Sequence, residues 1–417
     1  MTRPPGVRIL SLPGGTTDVI FTSLKDIRVL DLTNAIAGPH CTKLLADYGA
    51  DVIKVERPRT GDPSRGAGPF PRDVSHLEKS ALFLGLNTNK RGVTLNLKHP
   101  EGASILKQLA AKADILVENF RPGTMARLGF SYEVLSASNQ NLVMVSISDF
   151  GQWGPYSNYK GSEIVDYAIG GAMYAAGAAD REPLKLGGNV VQMLAGTHGA
   201  AAAMVALTGR AVRDRGDHID IAIMETQAGS PDRRTPMLLG HQYTGLINKR
   251  GQGVPPSVRP AKDGYLNIQF GIFMIERIAK MLGKPEIATD PRFADPTEAS
   301  KPENIALLEE IYLTWLGKRT MAQAWEAAQK AGVLSGPIYT MADVLKDKHL
   351  KGRGFWEQIH HPIAGKHTYP GRPFFSHGER KTPRRPAPRL GQHNAEVLKD
   401  LGYEKGDLAR LQREGVI

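Results

Sequence analysis

The chain has 417 residues, 41% of them hydrophobic and 23% charged, with one cysteine and a net charge of +11. A single cysteine excludes an intramolecular disulfide framework, and the size allows a large core and two or three domains without a metal staple. The positive charge favours an anionic partner such as nucleic acid, anionic lipid or a phosphorylated cofactor.

The N-terminal stretch, Met1 to Phe21, is broken by Pro4, Pro5, Pro13, Gly14 and Gly15, and it lacks the apolar core of a signal peptide. It reads as an extension over residues 1–25. Ile27–Leu32 has the composition of a buried strand. Asn34–Pro39 is a turn-like loop, Cys41–Tyr48 has helical spacing closed by Gly49, and Asp51–Glu56 is a second strand. This β–loop–α–β order implies parallel strands with a right-handed crossover. Cys41 lies in the apolar helical pattern and is expected in the core. Pro100–Lys112 reads as a helix, Asp114–Glu118 and Leu142–Ile147 as further strands, and the alternation predicts an α/β, doubly wound sheet.

Ligands of such sheets lie in the loops after the strands. Small residues at Asn34–Pro39 allow a ligand to approach a helix N-terminus. Arg57 ends the second strand, where its planar fork can grip a phosphate. Asn87, Thr88, Asn89, Lys90 and Arg91 combine amides and cations in five residues. Asn119 and Phe120 follow another strand and can hold a ribose or an adenine, with Arg127 further on.

Asn189–Arg210 is alanine-rich and reads as a long buried helix, with His198 either facing the site or, the favoured reading, a buried, satisfied histidine. Weaker periodicity and more Gly and Pro around Ser230–Pro260 mark a boundary. Gly264 to about Gly332 reads as a smaller unit of two strands and several helices, and Ala395–Arg413 as an amphipathic helical stretch. The basic cluster Arg380–Arg385 reads as a solvated loop. No nucleic-acid motif, zinc-ligand spacing or stretch near 20 apolar residues is found, so the expectation is a cytoplasmic protein without metal, nucleic-acid partner or membrane span.

The stretches VLDLTNAIAGP, GADVIKVERPRTGD, NTNKRGVTLNL, ADILVENFRPGTMARLGF, GPIYTMADVL and LGQHNAEVLKDLGY resemble the class III CoA-transferases, the formyl-CoA transferase and carnitine CoA-transferase family. The likeness runs from about Asp26 to the end. It implies a Rossmann-like large domain from N- and C-terminal parts (26–228 and 336–417). It also implies an inserted small α+β domain with its linker (229–335) and an interlocked dimer. Coenzyme A or its thioester is the implied substrate, held by Ile36, Ala37, Arg57, Asn87, Thr88, Asn89, Lys90, Asn119, Phe120, Arg127 and Lys160. Gly251-Gln252-Gly253 is either the counterpart of the family's glycine-rich loop over the site or a plain hinge.

The family's nucleophile is an aspartate in a G-x-x-x-x-D-x-x-x-G pattern opening a buried helix. It attacks the donor thioester, passes through a mixed anhydride and then carries CoA as an aspartyl thioester. Here the segment is Gly187-Gly188-Asn189-Val190-Val191-Gln192-Met193-Leu194-Ala195-Gly196, and the aspartate position is Gln192. A glutamine amide has no ionised oxygen to attack with. Glu163 matches an acidic position near the thioester and is either an orienting carboxylate or a substitute nucleophile. Three readings stay open: a subunit whose related partner supplies the aspartate, a homomeric enzyme of altered chemistry, and a non-catalytic CoA-binding or regulatory protein.

Overall fold

The computed structural model describes residues 19–20, 23–178, 180–230, 234–247, 258–269, 274–374, 379–380 and 384–417. Most of the N-terminal extension, the Gly251–Gly253 loop and the middle of the basic cluster lie outside the described residues.

Six parallel strands organise the larger unit: β1 (Arg28–Asp31), β2 (Asp51–Glu56), β3 (Arg91–Thr94), β4 (Ile115–Glu118), β5 (Val143–Ser148) and β6 (His218–Ala222). Their spatial order is β3-β2-β1-β4-β5-β6, with every neighbouring pair parallel. This is the order of doubly wound nucleotide-binding sheets, which reverses direction between β1 and β4. Two strands went unread in the sequence. β3 is four residues long and follows the Asn87–Lys90 stretch, and β6 is an edge strand in which only Ala222 is buried.

The helices that matter are α1 (Ala37–Asp47), α2 (Ala81–Leu86), α3 (Pro100–Ala111), α4 (Glu163–Ile169) and α5 (Val190–Arg213). Strand residues alternate between two cores. Leu30, Leu116 and Met144 face α3 and the C-terminal residues Val397, Leu398, Leu411 and Val416. Val29, Ile115, Val117 and Val145 face α1 and α5. The C-terminal segment also covers the β3 edge: His393 Nδ1 accepts from Gly92 N at 3.0 Å and Asn394 Oδ1 accepts from Thr94 N at 2.8 Å. That pairing satisfies backbone donors that would otherwise invite another strand. The stretch expected as one C-terminal helix is two, Asn394–Lys399 and Lys405–Arg413.

Among the described residues, α5 alone is long and apolar enough to cross a membrane, which corrects the sequence reading that no such stretch exists. It packs across α1 instead. A Cβ at Gly196 would sit 2.4 Å from the Ala37 carbonyl oxygen, so only glycine permits the approach. Gly199 is less tight, with a Cβ there meeting the Ile147 and Cys41 side chains at 3.1 and 3.3 Å. Cys41 is fully buried there, and burial pushes its thiol up to about 12, leaving it an inert core residue.

Residues 1–173, 185–243 and 355–417 form this larger unit, and 174–184 with 244–354 form a second. The second unit has a three-stranded antiparallel sheet, Ser335–Pro337, Gly264–Ile268 and Val258–Ala261 in that order. Leu266 and Ile268 of its central strand pack with Ile278, Tyr312, Leu316 and Ala324 from three helices. The crossings fall after Tyr243 and Gly354, later than the expected 229 and 335, and Tyr174–Leu184 joins the second unit. Gly and Pro mark where a chain turns, but packing decides which core the turned segment joins.

Candidate functional site

The loops after β1 and β4 face each other where the sheet reverses direction. Asn119 spans them: its Oδ1 accepts from Asn34 N at 2.7 Å, and its Nδ2 donates to Asn34 O at 2.8 Å. Thr33 N donates to Asp31 Oδ1 at 2.9 Å, and Ala35 N to Asp62 Oδ1 at 3.0 Å. The N–H groups of residues 33–35 are therefore spent on protein acceptors. The ones left for an anion are those of Ile36, Ala37 and Gly38 at the start of α1, which find no acceptor among the described residues. Ile36 and Ala37 are the two residues of this loop expected from the family resemblance, and Gly38 joins them at the helix end.

Beneath the loop lies a buried cluster of charges. Lys90 Nζ donates to Asp31 Oδ2 at 3.0 Å, to Pro39 O at 3.0 Å and to Asn87 Oδ1 at 2.8 Å. Lys54 Nζ pairs with Asp62 Oδ2 at 2.9 Å and donates to Thr33 O at 2.9 Å. Burial opposes the Asp31 charge, but Lys54 and Lys90 overcome it and hold the carboxyl down to about 2. Burial, reinforced by Lys54, brings Lys90 down to about 8 against the pull of Asp31.

The Asn87–Lys90 stretch, expected at the phosphate site, has the side chains of Asn87, Asn89 and Lys90 engaged with the protein itself. The four residues precede β3, so they do not lie in a loop that leaves a strand's carboxyl end. Lys90 has all three donors engaged. Asn87 donates to Phe83 O at 2.9 Å as the cap of α2. Thr88 is fully buried with an unpartnered hydroxyl. Asn89 takes φ +68° and donates to Asp47 Oδ1 at 2.8 Å, at the far end of α1. The loop that does leave β3 carries Lys98, exposed and without a side-chain partner among the described residues. The alternation Val93, Leu95, Leu97 ending in that lysine was the missed signal.

The other carboxyl-end loops carry exposed cations. Arg57 after β2 and Lys160 after β5 are exposed, with no ion pair among the described residues. Arg127 is exposed and donates to Thr124 Oγ1 at 2.9 Å, and Arg121 is exposed beside it. Phe120 is half-buried, and its N–H is held at 2.8 Å by Glu118, whose carboxyl burial pushes up to about 7.

Gln192 lies in the first turn of α5, partly exposed, and its side chain finds no partner among the described residues. Glu163, in the first turn of α4, spends both oxygens capping α5: Oε1 accepts from Val191 N and Oε2 from Gln192 N, each at 3.0 Å. A carboxylate there satisfies two orphan donors and meets the positive helix end. Of the two roles expected for Glu163, this engagement is the geometry of an orienting carboxylate at position 192. One turn on, Asp166 is fully buried, and burial with the neighbouring Asp149 pushes it up to about 8. His198 is exposed rather than buried, with Nδ1 2.9 Å from Leu194 O.

The described cavities lie elsewhere. One, about 300 Å³, is lined by Arg28, Asp51, Arg91, Lys112 and Asp400 around the amino ends of the strands, where Arg91 is already paired with Asp51 and Lys112 with the Asp400 carbonyl. The candidate site is an open crevice at the opposite ends. Among the described residues, no three His, Cys, Asp or Glu side chains are placed to hold a metal ion.

Residues 24–394 match the family described as CoA-transferase family III. The chain is 36% identical to the succinyl-CoA–D-citramalate CoA-transferase of Chloroflexus aurantiacus, covering 94% of this chain and 98% of that one. It is 31% identical to the formyl-CoA:oxalate CoA-transferase of Bradyrhizobium diazoefficiens (95% and 97% covered) and 31% identical to the succinyl-CoA:glutarate CoA-transferase of Mus musculus (94% and 90%). A crystal structure of a CAIB/BAIF family protein from Brucella suis superposes with a TM-score of 0.79 at 30% identity, covering 91% of this chain and 99% of that one.

Proposed function

Because the chain belongs to CoA-transferase family III, we propose that it holds a CoA thioester in the β1/β4 crevice as the nucleophile-lacking subunit of a heteromeric CoA-transferase. A related subunit, interlocked with it, supplies the aspartate. The donor in this reading is succinyl-CoA, which two of the relatives name, and the acceptor is a carboxylic acid such as the benzylsuccinate of anaerobic toluene degradation.

Gln192 carries the reading. It stands at the mouth of α5 with its backbone N–H oriented by Glu163, so the scaffold that would aim a nucleophile is complete. What is missing is the ionised oxygen. An amide cannot displace CoA thiolate from a thioester to give a mixed anhydride and then leave as a carboxylate. The cations after the four carboxyl-end loops, Arg57, Lys98, Arg127 and Lys160, support the CoA assignment, because three phosphates require charge-assisted bonds.

The test is transfer of CoA from succinyl-CoA to a panel of carboxylic acids. The chain alone is expected to give no turnover, and activity is expected on coexpression with an aspartate-bearing relative. Gln192→Asp should create some activity in the chain alone. Robust turnover by the unmodified chain alone would overturn the proposal and favour a homomeric enzyme of altered chemistry.

A further inference from the structure

Asp62 touches none of the groups left free for an anion, yet it shapes the loop that presents them. We propose that Asp62 is a positioning residue of the CoA site, holding Ala35 in a left-handed conformation so that the N–H groups of Ile36, Ala37 and Gly38 open onto the crevice. This inference rests on the reading that the crevice holds CoA.

The geometry is built from β2 outward. Gly61 turns the chain with φ +67°, and a Cβ there would come within 2.7 Å of the Arg65 side chain and 2.9 Å of Glu56 Oε2. The tight turn brings Asp62 back beneath the neighbouring loop, where its own N–H donates to Glu56 Oε2 at 2.9 Å. Its Oδ1 accepts from Ser64 N at 2.8 Å and from Ala35 N at 3.0 Å. Its Oδ2 pairs with Lys54, and that lysine also holds the Thr33 carbonyl. Burial would keep this carboxyl neutral, but Lys54 keeps it charged and holds it below the usual carboxylate range. A charged acceptor makes a stronger bond to the Ala35 N–H than a neutral one.

Ala35 needs that bond. Its φ is +63°, a region that an L-residue with a Cβ enters at a cost and that glycine enters freely. Ala35 is exposed, so no packing around its side chain holds it there. On either side, Asn119 fixes Asn34, and His40 N donates to Ile36 O at 2.8 Å. The Asp62 bond is the restraint that sets the direction in which the chain enters α1.

The experiment measures binding of CoA itself by calorimetry, using the full chain and no turnover. Wild type should bind CoA. Asp62→Asn, folded as judged by near-ultraviolet circular dichroism, should bind about tenfold more weakly. Adding Ala35→Gly to Asp62→Asn should recover at least half of that loss on a logarithmic scale, because glycine enters φ +63° without the steric cost that the clamp offsets. A purely structural role for Asp62 would not be rescued at Ala35. Ala35→Val, at an exposed position that does not threaten the core, gives a second measure: a β-branched residue should leave the left-handed region and bind CoA about tenfold more weakly with an unchanged melting temperature. Binding within twofold of wild type in Asp62→Asn or in Ala35→Val, or no rescue by Ala35→Gly, overturns the positioning role while leaving the CoA reading intact. Absence of CoA binding by wild type overturns both.

Discussion

Lys90 and Lys160 have the same side chain and opposite situations. Lys90 is buried, with its three donors given to Asp31, Pro39 and Asn87. Lys160 lies in an exposed loop with no partner among the described residues. The first belongs to a cluster with Asp31, Lys54 and Asp62 that fixes the shape of the β1 loop from below. The second, with Arg57 and Lys98, is free to meet a ligand's phosphates. A positive charge in a cofactor motif can therefore serve the loop or serve the ligand, and burial decides which.

The comparison is broken most sharply at Lys90. Lys90→Met should cost about 3–5 kcal/mol in urea unfolding, because removing one partner strands Asp31 in the interior. Unchanged stability with lost CoA binding would return Lys90 to the phosphate site. Gly196→Ala should come next, at about 1–3 kcal/mol, since the added methyl meets the Ala37 carbonyl oxygen and must push α1 from α5. Thermal unfolding checks it, and a neutral result would mean that the two helices yield.

Arg57→Ala, Lys98→Ala and Lys160→Ala should each weaken CoA about tenfold, roughly 1.4 kcal/mol, with melting temperatures close to wild type. The losses should shrink as salt is raised, because exposed charges are screened. A variant that instead unfolds would join the structural group.

The smallest effect concerns Asp166. Its carboxyl is raised to about 8, so the folded chain holds this proton more tightly than the unfolded one. That preference lowers stability as pH rises from near 4 to about 8 and adds nothing beyond. Asp166→Asn removes the ionisation and should flatten the stability–pH curve across that window, so that the variant gains on wild type as pH approaches 8. A curve in the variant that runs parallel to wild type between pH 4 and 8 would show that Asp166 is charged throughout.

Much of this was legible in the sequence because it rests on local patterns. Continuous apolar runs gave β1, β2, β4 and β5, helical spacing gave α1 and α3, and alanine content gave α5, each within a few residues. The family motifs were readable as strings, and so was the replacement of the aspartate by Gln192. β3 was hidden because the cations and amides before it look like a ligand loop, and four residues carry too little periodicity to contradict that. The role of Asp62 is not legible in its motif, because nothing in its spacing shows that Gly61 folds it beneath Ala35. Glu163 was placed near the reaction, but only the approach of α5 gives both its oxygens to backbone donors.

The amino-acid sequence by itself determined the strand and helix order, the family's motifs and the absence of a carboxylate at position 192, since these are properties of residue type and spacing. Only the tertiary structure decided which charges are spent and which are free. That depends on the neighbours that packing brings within 3 Å and on how much water remains, and neither is written in the spacing along the chain.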